Sequence, residues 1–207
     1  MVVGITGGIG SGKSSLARLL AQRGATTLDA DRLGHLVLEA PEVNAALVDG
    51  FGTAITDSAG KVVRKELGRR AFASQEGFER LNRIVRPFLE KRLWEEVASA
   101  EGSEKAGLVV VDAALIFEWG VEDRFDLIVV VDADVALRRQ RAAARQGLTP
   151  EEVDKRMTWQ LPAEEKAVRA DLVVRNEGTL EELARAAEVV WQHIAARQRE
   201  PRLRHEP

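Results

Sequence analysis

The chain has 207 residues, 45% of them hydrophobic and 30% charged, with a formal net charge of −3 and no cysteine. That length fits one domain, or one core carrying an inserted lobe, and it buries enough surface for a real hydrophobic core. The composition excludes a disordered chain, a disulfide scaffold, a thiolate zinc site and a thiol nucleophile, and the charge gives no general reason to bind nucleic acid or an anionic membrane. The longest apolar runs, at 108–111 and 127–131, are far short of a bilayer span, and the opening MVVGIT has neither a basic region nor a signal-like apolar core. The expectation is a soluble, cytoplasmic protein with no nucleic-acid or membrane partner. Monomer and homo-oligomer both stay open.

In chain order, VVGIT at 2–6 reads as a first strand. A helix follows with Leu16, Leu19 and Leu20 on one face, and Gly24 stops it. TTLD at 26–29 is the second strand. The next 74 or so residues, 32–105, are too many for a simple crossover, and their pattern is helix-rich: 41–51, 64–73, and 76–99 with an interruption near Pro87. This insert either forms a lobe over the sheet edge, able to hold a second substrate, or merely packs on the core. Strands return at 108–112 and 127–131. Two arginine-studded helices over about 138–160 have the look of a lid, the second opening on Thr149, Pro150 and Glu152. A last strand at 172–175 leads to a helix whose Leu180, Leu183, Ala184, Ala187, Val190, Trp191 and Ile194 share one face, behind a capping box of Thr179 and Glu182. The RQREPRLRHEP end reads as a frayed tail. Apolar strands alternating with helices predict an α/β fold with a doubly wound, five-stranded parallel sheet and right-handed crossovers. The core is expected at 1–31 plus 106–207, with 32–105 as the inserted helical domain.

The strongest chemical signal is GGIGSGKS at 7–14, which fits G-x-x-x-x-G-K-[ST] at Gly7, Gly12, Lys13 and Ser14, between a buried strand and an amphipathic helix. Glycines at 7, 8, 10 and 12 free the backbone so that successive N–H groups converge on phosphate oxygens. Lys13 is placed to bridge the β- and γ-phosphates of a nucleotide, and Ser14 to offer its hydroxyl to Mg²⁺. DAD at 29–31 ends the second strand, where ligands bind in open parallel sheets. Asp31 is a candidate to accept or orient a hydroxyl proton, and capping of the next helix, beginning near Arg32, is the competing use. Asp112 stands where an acid could hold Mg²⁺ through water, or could cap a turn. Arg138, Arg141 and Arg145 fall on one helix face and suit phosphate oxygens, although Glu151, Glu152 and Asp154 are near enough to make them surface ion pairs. Asn176–Glu177–Gly178 could offer backbone groups to a base, or simply turn the chain. His35 falls in the inserted lobe near the site, and His193 on the exposed flank of the last helix. With His205 they show no metal or triad spacing. The four tryptophans read as packing.

TGGIGSGKS at 6–14, DADRLGH at 29–35, FG at 51–52, AGKVVR at 59–64, DAALIFE at 112–118, RQGLT at 145–149, RMTWQ at 156–160 and ADLVVRN at 170–176 together resemble the dephospho-CoA kinase family. The resemblance implies a P-loop kinase fold with a helical CoA-binding domain and a lid. It implies Mg²⁺-dependent transfer of the ATP γ-phosphoryl to the ribose 3′-hydroxyl of dephospho-CoA. Carried over by position, Asp31 is the base, acting with Lys13 and Arg141. Gly8, Ile9, Gly10, Ser11, Gly12, Lys13, Ser14 and Ser15 form the ATP loop, Arg145 belongs to the lid, and Asn176 lies on the adenine side. Acceptor contacts fall on Asp31, His35, Arg64, Arg86, Leu115 and Glu118, with Ser14 as the metal-side hydroxyl. The family usually has His-Pro where this chain has Arg86–Pro87, proline where it has Ala114, and often glutamine at Arg138. The expected activity is therefore a dephospho-CoA kinase, against a shikimate or nucleotide kinase of the same fold, or a non-kinase nucleotide-binding module.

Overall fold

The computed structural model describes residues 1–102, 107–146 and 149–199, with the side chains of 145 and 146 outside that description. Five parallel strands, β1 (Val2–Thr6), β2 (Thr26–Asp29), β3 (Val109–Asp112), β4 (Leu127–Asp132) and β5 (Leu172–Arg175), form one sheet in the order β2-β3-β1-β4-β5. β1, β3 and β4 are buried along their whole length, as near-continuous apolar runs require when helices cover both faces. β2 and β5 lie at the edges and alternate in exposure. Two aspartates set where strands begin: Val2 N donates to the Asp126 carboxylate at 2.7 Å and Ile128 N to that of Asp171 at 2.7 Å.

The period-two alternation of each strand divides the core. Val3, Ile5, Val110, Val129 and Val131 face α1 (Lys13–Ala21) and α9 (Leu180–Arg199), meeting Leu16, Leu20, Leu183, Ala187, Val190 and Ile194. On the opposite face, Val2, Val109, Val111, Ile128 and Val130 meet Ala30 and Leu33 of α2 (Ala30–Val37), with α3 (Pro41–Phe51) and α4 (Arg64–Ala71) beyond it. The same layer takes Leu89, Leu93 and Val97 from α5 (Gln75–Glu101). A third, smaller core of Val37, Val43, Leu47, Ile55 and Leu67 lies within the inserted segment. α6 (Val135–Gln146), α7 (Pro150–Thr158) and α8 (Ala163–Arg169) complete the chain, and both expected capping boxes, Thr149 with Glu152 and Thr179 with Glu182, are formed.

Three local expectations change. α5 is not interrupted near Pro87: one helix of 27 residues runs through it. The residues before Pro87 pack on the inserted core and those after it on the sheet, so tertiary burial on both sides outweighs the lost backbone bond. α2 begins at Ala30 rather than near Arg32, because Asp29 is its N-cap and accepts from Arg32 N at 3.0 Å. α4 ends at Ala71, short of 73. The strand order puts β1 between β3 and β4, and the crevice at its C-terminal end is where ligands sit in such sheets.

Candidate functional site

The loop from Gly7 to Gly12 leaves β1 and enters α1 with its carbonyls tied to protein. Gly8 O accepts from Ser11 N at 3.2 Å and from Lys13 Nζ at 3.2 Å. Ile9 O accepts from Arg138 Nε at 3.2 Å, and Ser11 O from Asn176 Nδ2 at 2.7 Å. Gly12 O takes Ser15 N and Leu16 N at 3.0 and 3.1 Å. No peptide among the described residues is cis, so each N–H points opposite to the carbonyl of its own peptide plane. Tying down the carbonyls of Ile9, Ser11 and Gly12 therefore turns the N–H groups of Gly10, Gly12 and Lys13 the other way, as a phosphate nest needs. Gly7 (φ 143°) would bring a Cβ within 2.1 Å of the Val131 backbone oxygen, so glycine is required there and at two further positions. Gly10 (φ 76°) would bring a Cβ within 2.1 Å of the Arg138 backbone oxygen, and Gly12 (φ 101°) within 2.1 Å of Asn176 Nδ2. The positive end of α1 adds its dipole to the same nest.

Three charged groups meet there. Burial pushes the Lys13 ammonium below the ordinary lysine range, and the carboxylates of Asp112 and Asp31 pull it part of the way back. Asp112, buried at the end of β3, accepts the Ser14 hydroxyl. Burial raises its pKa, while that bond and the Lys13 charge oppose the rise. The DAD motif divides its labour: Asp29 caps α2, and Asp31, exposed in the first turn, acts electrostatically on Lys13, Asp112, His35 and Arg156.

The arginine face resolves into separate uses. Arg138 is buried beneath the loop, bonded to Ile9 O and 4.0 Å from Asp132. Arg141 Nη1 donates to Asn176 O at 2.7 Å. The Arg145 side chain, like His205, lies outside the described residues. The ion pair to the acidic residues of α7 is made by Arg139, with Asp154 at 2.5 Å. Asn176 is buried, its N bonded to Asp132 O at 2.8 Å and its side chain committed to Ser11, so it supports the loop. His193 is exposed, as expected, with its Nδ1 2.9 Å from Val189 O on its own helix.

In the inserted segment, His35 Nε2 and Arg64 Nη2 lie 2.7 Å apart. Partial burial and then the Arg64 charge push the His35 pKa down, so the neutral ring accepts from the guanidinium. Arg86 donates to Glu90 at 2.5 Å and to Trp119 O at 2.5 Å, 5.7 Å from the Trp119 ring. The half-buried Leu115 begins the segment that carries Glu118. Glu118 Oε1 accepts from Leu161 N at 2.8 Å and pairs with the fully buried Lys166 at 2.8 Å, and Lys166 also holds Ala114 O at 2.7 Å. Burial lowers the Lys166 pKa, against the attraction of Glu118. Lys166 and the supporting role of Arg138 carry no signal in the sequence, since isolated polar residues on amphipathic helices read as solvated, and Gln160 is marked only as the end of the RMTWQ segment, with no role attached. Among the described residues, no group of three His, Asp or Glu side chains could hold a metal, and no helix is long and apolar enough to cross a membrane.

A glycine loop with outward-tied carbonyls at the switch point of a parallel sheet, with a lysine and acids from neighbouring strand ends around it, defines a kinase of the P-loop class. The family model for dephospho-CoA kinase matches residues 1–182. The chain belongs to the dephospho-CoA kinase family. It is 39% identical over 197 residues to a dephospho-CoA kinase of Thermobifida fusca, covering 94% of this chain and 96% of that one. With a dephospho-CoA kinase of Deinococcus radiodurans it shares 43% identity over 183 residues, 87% of this chain and 86% of the relative. A crystal structure from Thermus thermophilus superposes with a TM-score of 0.77 at 37% identity, covering 93% of this chain and 97% of that one.

Proposed function

We propose that the protein transfers the γ-phosphoryl group of ATP to the ribose 3′-hydroxyl of dephospho-CoA, giving coenzyme A and ADP. The observation that carries this reading is the meeting of Lys13, Asp112 and Asp31 at the mouth of the phosphate nest. In phosphoryl transfer there is little covalent work for a protein, and positioning with charge neutralisation supplies the rate. The amides of Gly10, Gly12 and Lys13 with the Lys13 ammonium hold the terminal phosphates. Asp31 orients the acceptor hydroxyl and takes its proton as the new O–P bond forms and the bond to the β-phosphate oxygen breaks. Arg141, exchanging the Asn176 carbonyl for a phosphate oxygen, and Arg145 close over the transferred group.

The donor set fits Mg²⁺: the Ser14 hydroxyl and the Asp112 carboxylate it bonds are hard oxygen groups beside the nest. Mg²⁺ held there neutralises charge on the β- and γ-phosphates. The acceptor lies against residues 32–105, with the His35–Arg64 pair on one side and Leu115 and Glu118 on the other. Arg86, where the family usually has histidine, has its charge met by Glu90 and a donor committed to the Trp119 carbonyl. Use of ATP by a family of kinases supports a cytoplasmic setting.

The test is coupled ADP release with Mg-ATP and a panel of acceptors. Release that depends on dephospho-CoA is the expected result. Release that depends instead on shikimate or a nucleoside monophosphate, or that ignores every acceptor, contradicts the reading.

A further inference from the structure

Four residues at and just beyond the end of α7, Arg156, Trp159, Gln160 and Leu161, make five contacts in three directions. The Arg156 guanidinium lies 4.5 Å from the centre of the Phe72 ring. Trp159 stacks on Phe72 and Phe78, with ring centroids 5.7 and 5.2 Å apart and planes inclined by 18° and 17°. Gln160 Oε1 accepts from Ile9 N at 2.9 Å, and Leu161 N donates to Glu118 at 2.8 Å. Phe72 closes α4 and Phe78 opens α5, so the stacked rings belong to the acceptor side. Ile9 belongs to the phosphate loop, and Glu118 to the segment after β3.

Ile9 is gripped at both of its peptides, the Gly8–Ile9 unit through its N–H by Gln160 and the Ile9–Gly10 unit through its carbonyl by Arg138 at 3.2 Å. A backbone N–H only donates, so the Gln160 amide must present its oxygen, and its orientation is fixed. With the peptides on either side of its Cα both held, the φ and ψ of Ile9 are fixed, and with them the plane from which the Gly10 N–H projects into the nest. The next residue back along the chain is the one whose ring packs on both phenylalanines, themselves 6.0 Å apart, and aromatic contacts of this kind hold geometry beyond their buried area. Main-chain connectivity leaves little slack between adjacent residues: a shift of Trp159 by an ångström must reach Gln160.

We infer that Trp159 and Gln160 are positioning residues that form one strap, through which the acceptor-side rings of Phe72 and Phe78 set the orientation of the Ile9 peptide in the phosphate loop. Seating of an acceptor against α4 and α5 thereby tightens the nest that holds the phosphoryl donor. The strap rests on the kinase reading only for its effect on turnover, because the coupling itself is readable without any acceptor.

Hydrogen exchange at the Ile9 amide is the direct measurement, on the full chain without nucleotide. Gln160→Ala, which removes the partner, should raise exchange roughly three- to tenfold, the size expected for one lost hydrogen bond. Trp159→Ala and Phe72→Leu, neither of which touches the loop, should raise it in the same direction, and Trp159→Phe should restore protection. Phe72→Leu reads the strap from the acceptor side even where Trp159→Ala folds poorly. In turnover, Trp159→Ala and Phe72→Leu should raise the KM for ATP, because the nest they loosen holds the donor phosphates. Ile9 exchange that rises in Gln160→Ala but stays at the wild-type rate in Phe72→Leu and Trp159→Ala overturns the strap, as does an unchanged rate in Gln160→Ala. A wild type whose ADP release ignores dephospho-CoA counts against the kinase reading, while the exchange pattern still decides the strap.

Discussion

At the residue scale, Lys13, Asp31 and Asp112 carry separable duties. Lys13→Ala and Asp31→Ala should each cut turnover by roughly 10² or more, and steady-state kinetics should show Asp31→Ala with little change in the KM for ATP, since the carboxylate serves the acceptor. Asp112→Asn separates stability from activity. The folded Asp112 carboxyl has a raised pKa, so the folded protein keeps a proton that the unfolded chain releases. Its contribution is fully present below the range where an ordinary aspartate ionises, and it is lost as pH rises through the raised value. Thermal stability without nucleotide should therefore fall less steeply as pH rises above the ordinary aspartate range in Asp112→Asn than in the wild type, while turnover drops. A parallel pH dependence in the two proteins would contradict the burial argument. Asp29 and Asp31 show how far the sequence could be read here. Both uses of the DAD motif were visible, and only the register of α2, starting at Ala30, assigns the cap to Asp29 and leaves Asp31 for chemistry.

At the element scale, the loop depends on supports that arrive from distant parts of the chain. Arg138 on α6 holds Ile9 O and Asn176 after β5 holds Ser11 O. The loop itself was legible because its glycines, lysine and serine keep a fixed spacing after an apolar run. The supports were not, because an arginine on a helix reads as a solvated charge. Arg138 can pack under the loop because Gly8 and Gly10 present no side chain to it: a Cβ on Gly8 would come within 1.8 Å of its guanidinium. Pro87 was misleading for a related reason, since local propensity says nothing of the two cores that α5 joins. By contrast most of the last helix was legible, cap included, although Leu180, read as part of its apolar face, is exposed at the first turn. Thr179→Ala should cost about 1 kcal/mol of stability through the lost cap and leave kcat unchanged, as checked by chemical denaturation and ADP release.

At the scale of the whole molecule, α5 joins the acceptor side to the sheet. Its Leu89, Leu93 and Val97 pack among Val109, Val111, Ile128 and Val130. Leu93→Ala should cost about 2–5 kcal/mol in denaturant unfolding, as for any well-packed core leucine, and the loss should appear in a single cooperative transition. A separate early transition would show the inserted segment unfolding on its own. That five strands form a parallel sheet covered on both faces followed from their apolar runs, whereas their order comes from the structure alone. The way α7, α4 and the phosphate loop meet at Trp159 and Gln160 could not be read that way, because it joins residues far apart in sequence with no shared periodicity. The central claim is that the nest between Gly7 and Ser14 holds the donor phosphates while Asp31 addresses the acceptor hydroxyl. A crystal structure of the ternary complex with a non-hydrolysable ATP analogue and dephospho-CoA measures this directly. The account predicts the terminal phosphates on the amides of Gly10, Gly12 and Lys13, and the Asp31 carboxylate within hydrogen-bond reach of the ribose 3′-hydroxyl. Phosphates bound elsewhere, or a 3′-hydroxyl addressed by another group, would contradict it.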